Sequence, residues 1–116
     1  MRHRKEGFLL GRDAEARKAL LRGLMISLIE HRRIETTLTK AKFVQPAIES
    51  LLSLARQDTP QSRKLALSRL DSKKAMRELF AFAPTHYADR SSGFTRITKI
   101  GQRKGDGAEI AVIELL

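Results

Sequence analysis

The chain has 116 residues, 41% of them hydrophobic, which is enough for one modest core and too few for two independent domains. It contains no cysteine, which excludes disulfide bonds, thiolate zinc sites and a cysteine nucleophile. Lys and Arg number 23 against 13 Asp and Glu, so the formal net charge is +10, and this surplus predicts a polyanionic partner.

Hydrophobic and aromatic content narrow the class of partner further. The most apolar stretch, residues 19–29, is too short to span a membrane and contains an arginine, so we expect a cytosolic protein without membrane contact. Five Phe, one Tyr and no Trp leave little aromatic surface on which bases could stack. For a nucleic-acid partner, the charge of the phosphates and the shape of the nucleic acid should therefore contribute most of the binding affinity.

The positive charge is concentrated in residues 1–42. Residues 1–12 precede any helical pattern and include glycines at positions 7 and 11, so we expect them to form a basic RNA-binding arm, followed by a single globular domain over residues 13–116. A solvated terminus is the alternative for these residues. The proposed phosphate contacts of the arm and of the first helix are Arg2, His3, Arg4, Lys5, Arg12, Arg17 and Arg22.

The first predicted helix covers residues 14–31, with Asp13 as its N-cap. Its apolar stripe consists of Leu21, Leu24, Met25, Leu28 and Ile29. Gly23 interrupts the helix at a cost of about 1 kcal/mol relative to alanine, which leads us to expect close packing at that position.

A short strand over residues 33–38 and a second helix to residue 56, capped by Thr39, follow next. Pro46 lies inside the apolar stripe of that helix, so the helix is either kinked there or begins later, and the continuous stripe favours a kink. Thr59 and Pro60 open a third helix to about residue 70. Asp71 or Ser72 opens a fourth, which should end before Pro84. The buried residues of these two helices are predicted to be Leu65, Leu70, Met76, Leu79 and Phe80.

Two strands, residues 94–102 and 109–115, are separated by a Gly-Asp-Gly sequence at 105–107 that favours a tight hairpin. The last strand is apolar on both faces, so we expect it to be central, with the strand of residues 33–38 on its other side. The predicted fold is α+β: about four helices packed on a small, three-stranded, mostly antiparallel sheet, with a basic N-terminal arm.

Patterns of catalytic or metal-binding residues are weak in this sequence. The three histidines are far apart without nearby acidic clusters, and no phosphate loop or serine elbow occurs, so we expect no metal, no cofactor, no small-molecule substrate and no enzymatic activity. Basic residues do gather at element ends and loops, where they can reach phosphates. These are Lys40 and Lys42, and, in a second group, Arg90, Arg96, Lys99, Arg103 and Lys104.

Several segments resemble the bacterial large-subunit ribosomal protein seventeen family, in the same order and spacing along essentially the whole chain. They are the opening Met1-Arg2-His3-Arg4-Lys5 with Gly7, Leu10 and Arg12, the run over residues 33–42, Gly93-Phe94-Thr95-Arg96-Ile97, Gly105-Asp106-Gly107-Ala108 and Ile113-Glu114-Leu115. The sequence departs from the family pattern at Phe8, Leu9, Gly11, Phe43 and Gln45.

The resemblance implies a structural protein of the large ribosomal subunit that binds 23S ribosomal RNA near the peptide exit side, present in one copy beside other large-subunit proteins. It also implies the α+β fold and adds Thr36 and Thr37 to the expected RNA contacts, beside the arm residues and Lys40, Lys42, Arg96 and Lys99.

The alternative is a free DNA-binding or regulatory module, which would need a recognition helix and usually a symmetric dimer. A small RNA-modifying enzyme is a third possibility, but it would need a cofactor loop or a nucleophile.

Overall fold

The computed structural model describes residues 13–116, so the predicted arm over residues 1–12 lies outside the described part of the chain. In chain order the elements are α1 (Ala14–His31), β1 (Arg33–Thr37), α2 (Leu38–Leu54), α3 (Pro60–Leu70), α4 (Lys73–His86), β2 (Thr95–Gln102) and β3 (Glu109–Leu115). The α+β prediction of four helices and three strands is confirmed.

Each helix begins at a side chain that accepts a hydrogen bond from a backbone N–H three residues later. Asp13 accepts from Ala16 at 2.8 Å and Thr59 from Ser62 at 3.0 Å, as predicted. Ser72 accepts from Ala75 at 3.1 Å, so of the two candidates for the cap of α4, Ser72 is the cap and Asp71 is not. For α2 the prediction of Thr39 was wrong. Thr37 is the N-cap, with its Oγ1 3.3 Å from the nitrogen of Lys40, because β1 ends one residue earlier than predicted and the chain turns directly into the helix.

The sheet has the order β1-β3-β2, and both pairings are antiparallel, which confirms β3 as the central strand. In the hairpin between β2 and β3, Gly105 and Gly107 both have positive φ, at 98° and 72°. These angles are strained for residues that carry a Cβ, which explains the two glycines of the turn. The register shifts between Lys99 and Gly101, so Ile100 is an extra residue in β2.

One face of the sheet is buried against α2, which contacts all three strands. Ile34, Ile97 and Ile113 occupy one cross-strand row on this face, and Ala111 is fully buried beside them. The helix α1 contacts β1, while α3 and α4 pack against each other and against α1. The core therefore lies between α2 and the sheet and continues among the helices.

Three further local predictions were wrong. Leu65 is 48% exposed and outside the core, because the buried side of α3 carries Ser62, Ala66 and Leu70 instead. A Cβ at Gly23 would meet nothing within 4 Å, so close packing is not the reason for that glycine. The helix α4 continues through Pro84 to His86.

The continuation of α4 past Pro84 is explained by the contacts at its end. Tyr87 is buried and donates its backbone N–H to Ala83 at 2.9 Å, and its ring packs edge-on against Phe94 at 5.1 Å between centroids. His86 Nε2 lies 2.6 Å from the backbone oxygen of Leu116. Packing therefore compensates for the single helical hydrogen bond that proline cannot donate. The helix α2 likewise runs through Pro46, which rules out the later start.

Candidate nucleic-acid interface

A cleft of about 470 Å³ opens where β1 ends, α2 begins and the β2–β3 hairpin turns. We call it the sheet-end cleft. Four residues that were predicted as RNA contacts line it: Thr36, Thr37 and Lys40, which are close in sequence, and Arg103, which the fold brings to them from the β2–β3 hairpin. The remaining lining residues are Glu35, Ile100, Gly101, Gln102 and Ile110.

Strand pairing and helix capping place these side chains. Thr37 is the last paired residue of β1, opposite Ile110, and it is also the N-cap of α2. Lys40 follows in the first turn of α2, so its ammonium group adds to the partial positive charge of the exposed N–H groups at that helix start. The opposite side of the cleft is formed by the end of β2, where Ile100 is 52% exposed.

The guanidinium group of Arg103 is held at the edge of the cleft by Asp106. Its Nε and Nη2 donate to the two carboxylate oxygens at 3.2 and 2.6 Å. These hydrogen bonds, with one from the backbone N–H of Ala108, lower the pKa of Asp106 to about 2. An arginine has five N–H donors, so Arg103 keeps donors for an acceptor such as a phosphate while Asp106 fixes its position.

On the solvent-facing side of the sheet, Glu114 lies between two arginines. Arg96 donates to Glu114 Oε2 from Nη2 at 2.6 Å and from Nε at 3.2 Å, and Arg33 Nε lies 4.0 Å from Oε1. The hydrogen bonds from Arg96 lower the pKa of Glu114. Two guanidinium groups against one carboxylate leave this row positively charged. Arg96 was predicted as an RNA contact, whereas Arg33 was not, although the Arg32-Arg33 pair at the start of β1 was a visible signal.

The other predicted contacts do not join the sheet-end cleft. Arg90, in the loop before β2, donates from Nη1 to the carbonyl oxygen of Gly93 at 2.7 Å. Lys42, Lys99 and Lys104 are exposed on α2, β2 and the hairpin. Arg17 and Arg22 lie on α1. The five predicted contacts Arg2, His3, Arg4, Lys5 and Arg12 lie outside the described residues.

A second cleft, of about 440 Å³, lies between α1, α2 and α3, and we call it the helix cleft. It contains the predicted contact Arg22 together with two further cations, Lys18 and Arg69. The four-residue spacing of Lys18 and Arg22 already placed them on one side of α1. Arg69 belongs to a different helix, and only the packing of α3 against α1 and α2 brings it close.

Within residues 13–116, no group of three or more His, Asp or Glu side chains is arranged to hold a metal ion. Burial raises the pKa of Tyr87, and the Tyr87 hydroxyl has no hydrogen-bond partner among residues 13–116. No helix in the described residues has both the length and the apolar character needed to cross a membrane.

Comparison with known proteins places the sequence among ribosomal proteins. The family model of ribosomal protein L17 matches residues 20–116. The large ribosomal subunit protein bL17 of Chloroflexus aggregans is 65% identical over 116 residues, which is the whole of both chains. The protein of the same name from Chloroflexus aurantiacus is 64% identical over the same span. That of Thermomicrobium roseum is 47% identical over all of this chain and 99% of its own length.

Proposed function

The chain belongs to the ribosomal protein L17 family, and from this premise we propose that it binds 23S ribosomal RNA as a structural component of the large ribosomal subunit. The family consists of structural components of the ribosome rather than enzymes, which confirms the expectation of a non-catalytic protein and of a ribosomal location in the cytoplasm. Membership also argues against the alternative of a free DNA-binding or regulatory module.

The observation that carries the RNA-binding proposal is the convergence of Thr36, Thr37, Lys40 and Arg103 in the sheet-end cleft. Hydroxyl groups, an ammonium group, a guanidinium group and the start of a helix are the donors that proteins use to contact phosphates and ribose. The cleft also contains Glu35, so its contacts must be selective and not purely electrostatic. A folded RNA presents phosphates and 2′-hydroxyls in a fixed arrangement, which fits such a mixed set of donors and acceptors.

The basic surface extends beyond this cleft. Lys42 on α2 and Lys104 in the hairpin are exposed near its two sides, and Arg33 and Arg96 add positive charge on the solvent-facing side of the sheet. We infer that these residues contact further phosphates of the same RNA. The arm of residues 1–12 is proposed to extend this surface. One copy per subunit, a position near the peptide exit side and contacts with neighbouring large-subunit proteins stay predictions of the resemblance.

Sedimentation of a lysate of cells that produce the tagged chain tests the proposed function. We expect the chain to migrate with large ribosomal subunits through a wash at moderate salt. The double variant Lys40→Gln with Arg103→Gln should be released at lower salt than a control that loses the same charge from exposed positions elsewhere, Lys64→Gln with Arg77→Gln. Recovery of the unmodified chain only in the light soluble fractions would refute the proposal.

A further inference from the structure

We propose that the helix cleft between α1, α2 and α3 binds a single unpaired nucleotide of the RNA, with the base on an apolar floor and its phosphates at a cationic rim. This inference rests on the proposed function, and it adds a second, independent contact on the side of the molecule formed by the helices. The helix cleft has a volume of about 440 Å³, which is within the range of roughly 300–1,000 Å³ that is usual for small-ligand pockets.

The lining of the helix cleft has two chemically distinct parts. Leu21, Met25 and Ala47 form an apolar floor that packs against the core, with Met25 almost completely buried. Lys18, Arg22 and Arg69 supply three cations, and the lining contains no acidic residue. A phosphate group alone would leave the apolar floor exposed to water, whereas a nucleotide covers the floor with its base and brings the phosphate to the cations.

Arg69 is already oriented for this role. Its Nη1 donates to Ser50 Oγ at 3.1 Å, and Ser50 itself lines the cleft. Ser68, the remaining lining residue, donates its hydroxyl to the carbonyl oxygen of Leu65 in its own helix at 2.8 Å. Among the described residues, Lys18, Arg22 and Arg69 take part in no ion pair, in contrast to Arg63, Arg96 and Arg103. Their charge is therefore available to an anionic ligand.

An unpaired nucleotide explains both parts of the cleft better than a segment of protein. Sequence-specific RNA recognition mostly uses bases that are turned out of loops and bulges, because paired bases in an A-form helix are hard for side chains to reach. An apolar protein side chain would cover the floor but would leave three cations partly desolvated without partners, which is unfavourable. An acidic protein segment would pair with the three cations, but it would not explain the apolar floor.

Substitutions that separate the floor from the rim test the proposal through equilibrium binding of the full chain to 23S ribosomal RNA. Ala47→Phe fills the space for the base and keeps all three cations, and we expect about a tenfold weaker affinity. Arg22→Gln and Arg69→Gln each remove one rim cation and should also weaken binding about tenfold. Lys64→Gln and Arg77→Gln remove the same charge from exposed positions outside the cleft and should change the affinity about twofold or less.

The pattern of losses distinguishes the outcomes. Weaker binding of the rim variants with unchanged binding of Ala47→Phe would indicate phosphate contact alone and would overturn the base-binding part of the proposal. Equal affinity of the cleft variants and the controls would overturn the site, while leaving the proposed function intact. Absence of any preference of the unmodified chain for 23S ribosomal RNA would overturn the proposed function itself.

Cross-linking provides a readout that does not depend on a change in affinity. Because the chain has no natural cysteine, Ser68→Cys provides a unique attachment point for a short photoreactive group inside the cleft. In assembled subunits we expect cross-links to one unpaired nucleotide, while a group attached at the exposed Ser91→Cys should not reach that nucleotide. Cross-links from Ser68→Cys to a neighbouring protein, or to many unrelated nucleotides, would contradict the proposal.

Discussion

The carboxylate of Glu49 on α2 joins the helix layer to the first residue of β2, because its Oε2 accepts hydrogen bonds from both the backbone N–H and the hydroxyl of Thr95. The two distances are 2.8 and 2.6 Å, and Oε1 accepts the backbone N–H of Phe94 at 3.1 Å. Gln45, one turn earlier on α2, donates its side-chain amide to the same hydroxyl at 3.1 Å. One acidic side chain thus satisfies the backbone where β2 begins.

Replacing Glu49 should therefore destabilise the fold. Glu49→Ala leaves the N–H groups of two buried residues, Phe94 and Thr95, without their acceptor, and we expect the free energy of unfolding to fall by about 3 kcal/mol. Urea denaturation measures this change. Glu49→Gln retains an acceptor and should lose less, and Asp89→Ala, at an exposed position, should stay within about 0.5 kcal/mol of the unmodified chain. Equal stability of Glu49→Ala and Asp89→Ala would show that this connection contributes little.

Two leucines of α3 provide a matched test of the core. Leu70 is 1% exposed and Leu65 is 48% exposed. Replacing each leucine by alanine makes the same chemical change in the same helix, so the two variants differ mainly in the burial of the side chain that is lost. We expect Leu70→Ala to cost about 2–5 kcal/mol of unfolding free energy and Leu65→Ala less than about 1 kcal/mol, as measured by thermal or urea denaturation. Similar losses would contradict the packing of α3 described above.

Gly23 and Gly93 should respond in opposite ways to replacement by alanine. Gly23 lies in the middle of α1 with free space around the position of a Cβ, so Gly23→Ala should stabilise the chain by about 0.5–1 kcal/mol through helix propensity. Gly93 has a φ of 67°, which is strained for alanine, and Gly93→Ala should destabilise by about 1 kcal/mol. Calorimetric melting of both variants checks the difference in sign. A loss of stability in Gly23→Ala would mean that α1 needs the glycine for another reason.

The Arg103–Asp106 pair should make the stability of the hairpin depend on pH in the acid range. The pKa of Asp106, held at about 2 by Arg103, lies below the unfolded value of about 3.9. The stabilising effect of this pair is therefore complete above about pH 4 and is lost as the pH falls toward 2. Titration of the carboxyl carbon by NMR should give a midpoint near 2, and Arg103→Gln should raise it. A midpoint near 4 in the unmodified chain would show that the pair does not form in solution.

The parts of this structure that were predictable from the sequence are those fixed by local chemistry. Asp13 was recognisable as a cap because an apolar pattern of helical period follows it, Thr59 because Pro60 follows it, and Ser72 was one of two candidate caps beside Asp71. The glycines around Asp106 marked the hairpin. The errors at Leu65 and Pro84 came from packing. Neither the exposure of Leu65 nor the continuation of α4 through Pro84 could be inferred without the neighbours of those residues.

The candidate interface was likewise predictable from local sequence only in part. Lys40 and Arg103 were identifiable as basic residues at element ends, but that they line one cleft with Thr36 depends on the order of the three strands. The spacing of Lys18 and Arg22 placed them on one side of α1, but the helix cleft itself could not be predicted, because Arg69 comes close to them only through the packing of three helices.

The most direct test of the central claim is the affinity of the full chain for 23S ribosomal RNA, measured across a series of salt concentrations with duplex DNA as competitor. If about six phosphates are contacted, the affinity should fall by roughly 10³ between about 50 and 200 mM salt, with ribosomal RNA preferred over DNA throughout. An affinity that hardly changes with salt, or a preference for the DNA duplex, would contradict the account.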